Sequence, residues 1–263
     1  ININMIKLFK LSIFFSLTFI NLNNFLNAEP FESTYTPLPS QNILIKNANI
    51  YDGEGNELLK TDLLIKDRKI AAIGNDLPVT DDFEVIDASG KWVTPGIIDI
   101  HSHMGVYPAP GVRTSSDGNE ATSPVTADVW AEHSIWVQDP QYTLALSGGV
   151  TAFHILPGSA NLIGGRGVTV KNLQRNTINS MKFPEAPHSL KMACGENPKR
   201  VYGNRQQAPS TRMGNIAGYR KAWIEAEGYL NRLNEYEAKS DEAKEMGYKL
   251  SLIHISEPTR RSY

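Results

Sequence analysis

The run Val93-Thr94-Pro95-Gly96-Ile97-Ile98-Asp99-Ile100-His101-Ser102-His103 holds three chemically capable side chains at alternate positions. Alternate side chains of an extended strand share a face, so Asp99, His101 and His103 are expected to point the same way. Two imidazoles at that spacing, at a strand's end, suit one divalent cation held at about 2.0–2.1 Å. A bare His-x-His also occurs as ordinary strand histidines. The Pro-Gly turn and the apolar lead-in make this string far more specific.

Other candidates are weaker. Lys191 sits in Ser189-Leu190-Lys191-Met192-Ala193-Cys194-Gly195, where an ammonium flanked by apolar strand residues is costly to bury. It reads either as a functional amine or as a snorkelling or locally paired lysine. His154, near the end of an apolar strand, reads equally as a substrate contact and as a half-buried structural residue. The glycines of Gly158 to Gly167 resemble a phosphate loop only faintly, without its Gly-Lys-Ser/Thr ending, so no nucleotide site is expected. His133, between Trp130 and Trp136, reads as core. Cys194 has no recognisable histidine partner and reads as a small core residue.

Composition narrows the function classes. Among 263 residues, 26 basic against 28 acidic side chains give a net charge of −2, which suggests neither a nucleic-acid partner nor an anionic surface. Cys194 is the only cysteine, which excludes an internal disulfide and an all-cysteine metal site. From Met5 the chain reads as a Sec-type signal peptide, with Ile1 to Asn4 as upstream translation. Lys7 and Lys10 precede the apolar stretch Leu11 to Ile20, and Leu26-Asn27-Ala28 offers a cleavage site. The expected location is periplasmic or secreted, without a stable membrane anchor. At the other end, Leu250 to Arg260 reads L-S-L-I-H-I-S-E-P-T-R. It is similar to the in-frame translation of a transposase adapter used in sequencing-library preparation. The expectation is that residues 250–263 are non-native, which removes His254 from the candidate ligands.

The elements that must position the histidines follow from the pattern. Strand signals run over Ile43–Ile50, Asp62–Lys66, Lys69–Ile73, Phe83–Ala88 and Lys91–Thr94, separated by Asp/Gly turns. After a Gly/Pro/Ser-rich loop from Met104 to Ser123, the pattern predicts a helix over Ala127–Val137. A second helix is capped by Asp139 and ended by Gly148-Gly149. Strands follow at Val150–Leu156, Gly167–Lys171 and Ser189–Ala193, an alternation that predicts parallel βα units. Ile216, Tyr219, Trp223, Ala226, Leu230 and Leu233 form one stripe at helical spacing, expected to pack on the domain wall.

Taken together, the histidine string, Gly149-Val150-Thr151 and the lysine strand resemble the amidohydrolase superfamily of metal-dependent hydrolases. The nearest likeness is to its imidazolonepropionase-like and prolidase-like branch. The resemblance implies an α/β fold: a TIM-type (β/α)8 barrel, about half present over residues 93–249, preceded by part of a small β-sandwich over 29–92 and a leader over 1–28. Val93 to Lys249 span about 157 residues, short of the roughly 250 that such a barrel needs. It further implies His101 and His103 as metal ligands, with Lys191 as a carbamate-forming ligand. One or two divalent cations, zinc above all, would activate a water. Further ligand histidines and an aspartate base would lie beyond residue 249. The chain departs from the branch's second glycine at Glu196-Asn197-Pro198-Lys199-Arg200. The implied activity is hydrolysis of amide or cyclic amide bonds in small molecules. A metallo-dipeptidase, or a non-catalytic binding protein or pseudoenzyme, is the alternative. Carrying half a site, the chain as written is expected to be inactive.

Overall fold

The computed structural model describes residues 31–239; the leader and the 250–263 tail lie outside the described residues. Among the described residues, nine strands form two sheets. β1 (Asn42–Tyr51) pairs antiparallel with β2 (Glu57–Lys66), which pairs antiparallel with β3 (Lys69–Gly74). β4 (Phe83–Asp87) and the short β5 (Trp92–Val93) both join β1 in parallel. Ala48, Ile50, Leu63 and Ala88 form its small buried core. A second sandwich layer is not present among the described residues.

β6 (Ile97–Ser102), β7 (Val150–Ile155), β8 (Ile163–Lys171) and β9 (Ser189–Met192) form the second sheet in that order. Only β6 and β7 are parallel; β8 is antiparallel to both β7 and β9. This corrects the expectation of parallel βα units throughout. The connection from Leu156 to Leu162 is too short for a parallel crossover, which needs a dozen or more residues. The glycines at 164, 165 and 167 thus lie inside β8 rather than in a loop. At Gly165, φ is +108° and a Cβ would lie 2.5 Å from the Val129 carbonyl oxygen, so this close approach requires glycine.

The predicted helix over 127–137 is also corrected. That stretch bridges to β8 at Val125–Ile163 and Trp130–Arg166, leaving a single 3-10 turn at Ala131–Ser134. Tertiary pairing overrides local propensity here. α1 (Gln141–Ser147) starts one residue after the position expected from Asp139, whose carboxylate still accepts from the Gln141 N–H at 3.0 Å. Gly149, at φ +88°, ends it. α2 (Glu196–Gly203) was not foreseen, although Glu196 and Pro198 are first-turn residues.

α3 (Arg212–Glu237) starts at Thr211, whose side chain accepts from the Gly214 N–H. Most of its expected packing face is left exposed. Asn215 is buried and Tyr219 half-buried, whereas Ile216, Trp223 and Leu230 are more than half exposed. The core of the second sheet lies elsewhere, around Val106, Tyr142, Phe153, Ile155, Val168, Val170 and Met181. Among the described residues, no helix is long and apolar enough to cross a membrane.

Candidate metal centre

His101 is the penultimate residue of β6 and His103 follows the strand, where β6 and β7 finish side by side. The Leu156 N–H donates to the Ser102 carbonyl at 2.9 Å, so both strands deliver their C-terminal ends to one rim. The rings of His101 and His103 lie 5.4 Å apart, edge to face. His103 Nδ1 lies 2.8 Å from the Leu156 carbonyl, which can only accept, so this nitrogen carries the proton and Nε2 presents its lone pair. Asp99 stands beneath, its carboxylate accepting from the His101 backbone N–H at 3.1 Å.

Lys191 comes to the same place from β9. Its Nζ lies 2.9 Å from His101 Nε2. In a flat sheet, β6 and β9 would stand about 14 Å apart, three strand spacings. The contact therefore requires the sheet to curl, as a barrel wall does. Lys191 is buried, and burial lowers the pKa of its amine. No carboxylate lies within ion-pair distance of it among the described residues. The positive charge of Lys191 does most to lower the pKa of His101, with help from burial and His103; Asp99 opposes them.

The structure thus brings together His101, His103 and Lys191, which stand 90 residues apart at their extremes. His154 lies deeper, with both ring nitrogens occupied: Nδ1 is 2.9 Å from Thr169 Oγ1 and Nε2 is 2.6 Å from Ser189 Oγ. Burial, then His188 and His101, lower its pKa. In this arrangement the ring braces β8 against β9, and substrate contact through its nitrogens would require a hydroxyl to yield. Cys194 is exposed rather than core. His133 is exposed as well, because the helix meant to bury it does not form.

The donor set suits a divalent cation in part. Among the described residues no three His, Cys, Asp or Glu side chains cluster, and Lys191 is the further candidate ligand that the structure sets beside His101. As an ammonium it has no lone pair to offer, and it occupies the His101 lone pair that a metal would need. As a carbamate it would offer two oxygens and remove the competing charge. Sequence reasoning missed Asn161 and the part Asp139 plays beyond its helix cap. Buried Asp139 accepts from the N–H groups of Gly105 and Ala109, and Asn161 donates to the Glu120 carbonyl, pinning the loop after His103.

No family model matches the chain. An amidohydrolase structure from Thermotoga maritima is 37% identical and superposes with a TM-score of 0.68, covering 78% of this chain and 54% of that protein. Amidohydrolase tasK of Hapsidospora irregularis is 35% identical over 230 residues, 78% of this chain and 23% of that protein. A dihydroorotase of Lactobacillus helveticus is 46% identical over 74 residues, 28% of this chain and 16% of that enzyme. These likenesses support the amidohydrolase superfamily, whose members typically use divalent metals. The chain spans well under two thirds of each of these relatives.

Proposed function

We propose that the protein is a metal-dependent hydrolase of carbon–nitrogen bonds in small-molecule amides or cyclic amides. We assign it to the imidazolonepropionase-like and prolidase-like branch and read it as an exported protein present here in part. The observation that carries this reading is the contact between Lys191 and His101 beside a tautomer-fixed His103.

His101 and His103 would hold the cation through imidazole nitrogens, zinc being the metal that best suits such donors. When bound, it would polarise the scissile carbonyl and acidify a water. The residues of this chain prepare that place. Leu156 holds the His103 ring through Nδ1, so its Nε2 cannot swing away. Asp99 fixes the backbone at His101. Once the Lys191 ammonium has given one proton to solvent, its amine can add to the carbon of carbon dioxide, forming an N–C bond as a C–O π bond opens and a second proton leaves to solvent. The product is an anion where an ammonium stood.

The test is metal stripping. Purified protein should carry roughly one or two divalent ions per chain once the remaining ligands are supplied by the longer polypeptide. Chelation should abolish hydrolysis of amides in a panel of cyclic amides and dipeptides, and zinc should restore it. Hydrolysis that survives complete metal removal would overturn the reading, and preference within the panel separates the cyclic-amide reading from the dipeptidase.

A further inference from the structure

A cleft of about 270 Å³ opens directly beside the candidate metal centre, with His103 and Tyr107 on one wall and Asn197, Arg200 and Val201 of α2 on another. Most of its polar groups are already spent on one another. Asn197 Nδ2 donates to Ser159 Oγ at 2.5 Å. Asn119 donates to the Tyr107 hydroxyl and accepts from the Ala160 N–H. Arg200 differs. Its Nε donates to Glu196 Oε1 at 3.0 Å, which steadies the guanidinium plane, while Nη1 and Nη2 make no hydrogen bond among the described residues. Arg200 also carries the only formal charge among the residues lining the cleft, since Glu196 lies outside it.

A planar fork with two free N–H-bearing nitrogens, held at one edge, matches a carboxylate in bidentate geometry. We infer that Arg200 anchors a substrate carboxylate in this cleft, so that the scissile amide belongs to an N-acyl amino acid or a similarly carboxylated amide. The inference deepens the hydrolase reading and rests on it for the position of the scissile bond. It does not rest on it for the binding of the carboxylate. Val201 and Tyr107 supply apolar surface for the carbon skeleton between carboxylate and amide, and His103 marks the end at which the amide would lie. Lys199, next in sequence to Arg200, does not line the cleft and serves as the control for general positive charge.

The experiment compares N-acyl amino acids with the matching N-acyl amino alcohols, in which a hydroxymethyl group replaces the carboxylate. The wild-type protein should prefer the acids. Arg200→Gln should reduce that preference about tenfold or more, through KM rather than kcat, as loss of a charge-assisted hydrogen-bonded pair predicts. Lys199→Gln should leave the preference unchanged. Calorimetric titration of metal-stripped protein with N-acetylalanine gives a readout without turnover, and binding there should weaken by a similar factor in Arg200→Gln. If N-acetylalanine binds through Arg200 but no amide is hydrolysed, the subsite stands and the hydrolase reading falls. If amides are hydrolysed without preference for acids, or if both variants behave alike, the subsite falls and the hydrolase reading stands.

Discussion

The two sheets spend their polar side chains differently. In the five-stranded sheet, carboxylates mostly serve backbone or hydroxyls close by. Asp52 accepts from Glu54 and Asn56, and Asp87 from Ser89, all within four residues; Asp62 reaches Asn47 and Leu77, 15 residues away. In the four-stranded sheet, polar groups reach across the fold. His103 meets Leu156 at a separation of 53 residues, His154 meets Ser189 at 35, and Lys191 meets His101 at 90. Local bonds of the first kind close turns. Bonds of the second kind gather titratable groups at one rim, at the desolvation cost that a stability-only design would avoid.

The sharpest way to break this comparison is to remove the groups at the rim. In the metal-loaded protein, His103→Ala or His101→Ala should lower kcat/KM by about 10³-fold or more, the equivalent of several kcal/mol of lost metal assistance. Bound metal, measured by mass spectrometry, should fall with it while circular dichroism stays native. Asp87→Ala in the other sheet should change neither. Lys191→Ala should lose activity comparably and regain part of it in short-chain carboxylic acids, which can stand where the carbamate would. Failure of rescue, with Lys191→Ala as active as wild type, would remove Lys191 from the ligand set.

A second long-range group tests stability rather than chemistry. Glu132 is buried, its Oε1 2.8 Å from Lys182 Nζ, and its Oε2 lacks any hydrogen-bond partner. His188 Nε2 lies 3.9 Å from Oε2. Lys182→Met should strand this carboxylate and cost about 3–5 kcal/mol in urea unfolding. Adding Glu132→Gln in the double variant should return part of the loss. A single variant as stable as wild type would show that the buried pair contributes nothing.

What could be read in the sequence follows the same division. The strands of the first sheet lay within about one residue of their expected bounds, because alternation and Asp/Gly turns are local signals; the exception is β2, which starts at Glu57, five residues before the expected Asp62. Lys191 could be nominated from its apolar flanks, but its contact with His101 depends on a sheet curl that no local pattern encodes. The direction of β8 was missed because glycines at 164, 165 and 167 suggested a loop. The helix over 127–137 failed because bridging to β8 claims that backbone. Asp139 was seen only as a helix cap, while its larger part, holding Gly105 and Ala109 in the loop after His103, depends on packing.

The smallest effects separate two positions of the α3 stripe, of which one packs and the other does not. Tyr219 turns toward β9, its hydroxyl 2.5 Å from the Ala193 carbonyl and 3.3 Å from that of Leu162. Trp223, on the stripe, is 57% exposed. Tyr219→Phe should therefore cost about 1 kcal/mol, the net worth of a hydrogen bond to backbone, plus any penalty for carbonyls left unsatisfied. Trp223→Gln should shift stability by no more than about 0.5 kcal/mol, as for a surface residue away from any special feature. It should also raise solubility, because Ile216, Trp223 and Leu230 are bare apolar surface. Equal losses in the two variants, measured by urea unfolding of the same preparation, would mean that Trp223 is covered in solution as Tyr219 is, and that the whole stripe packs as the sequence pattern has it.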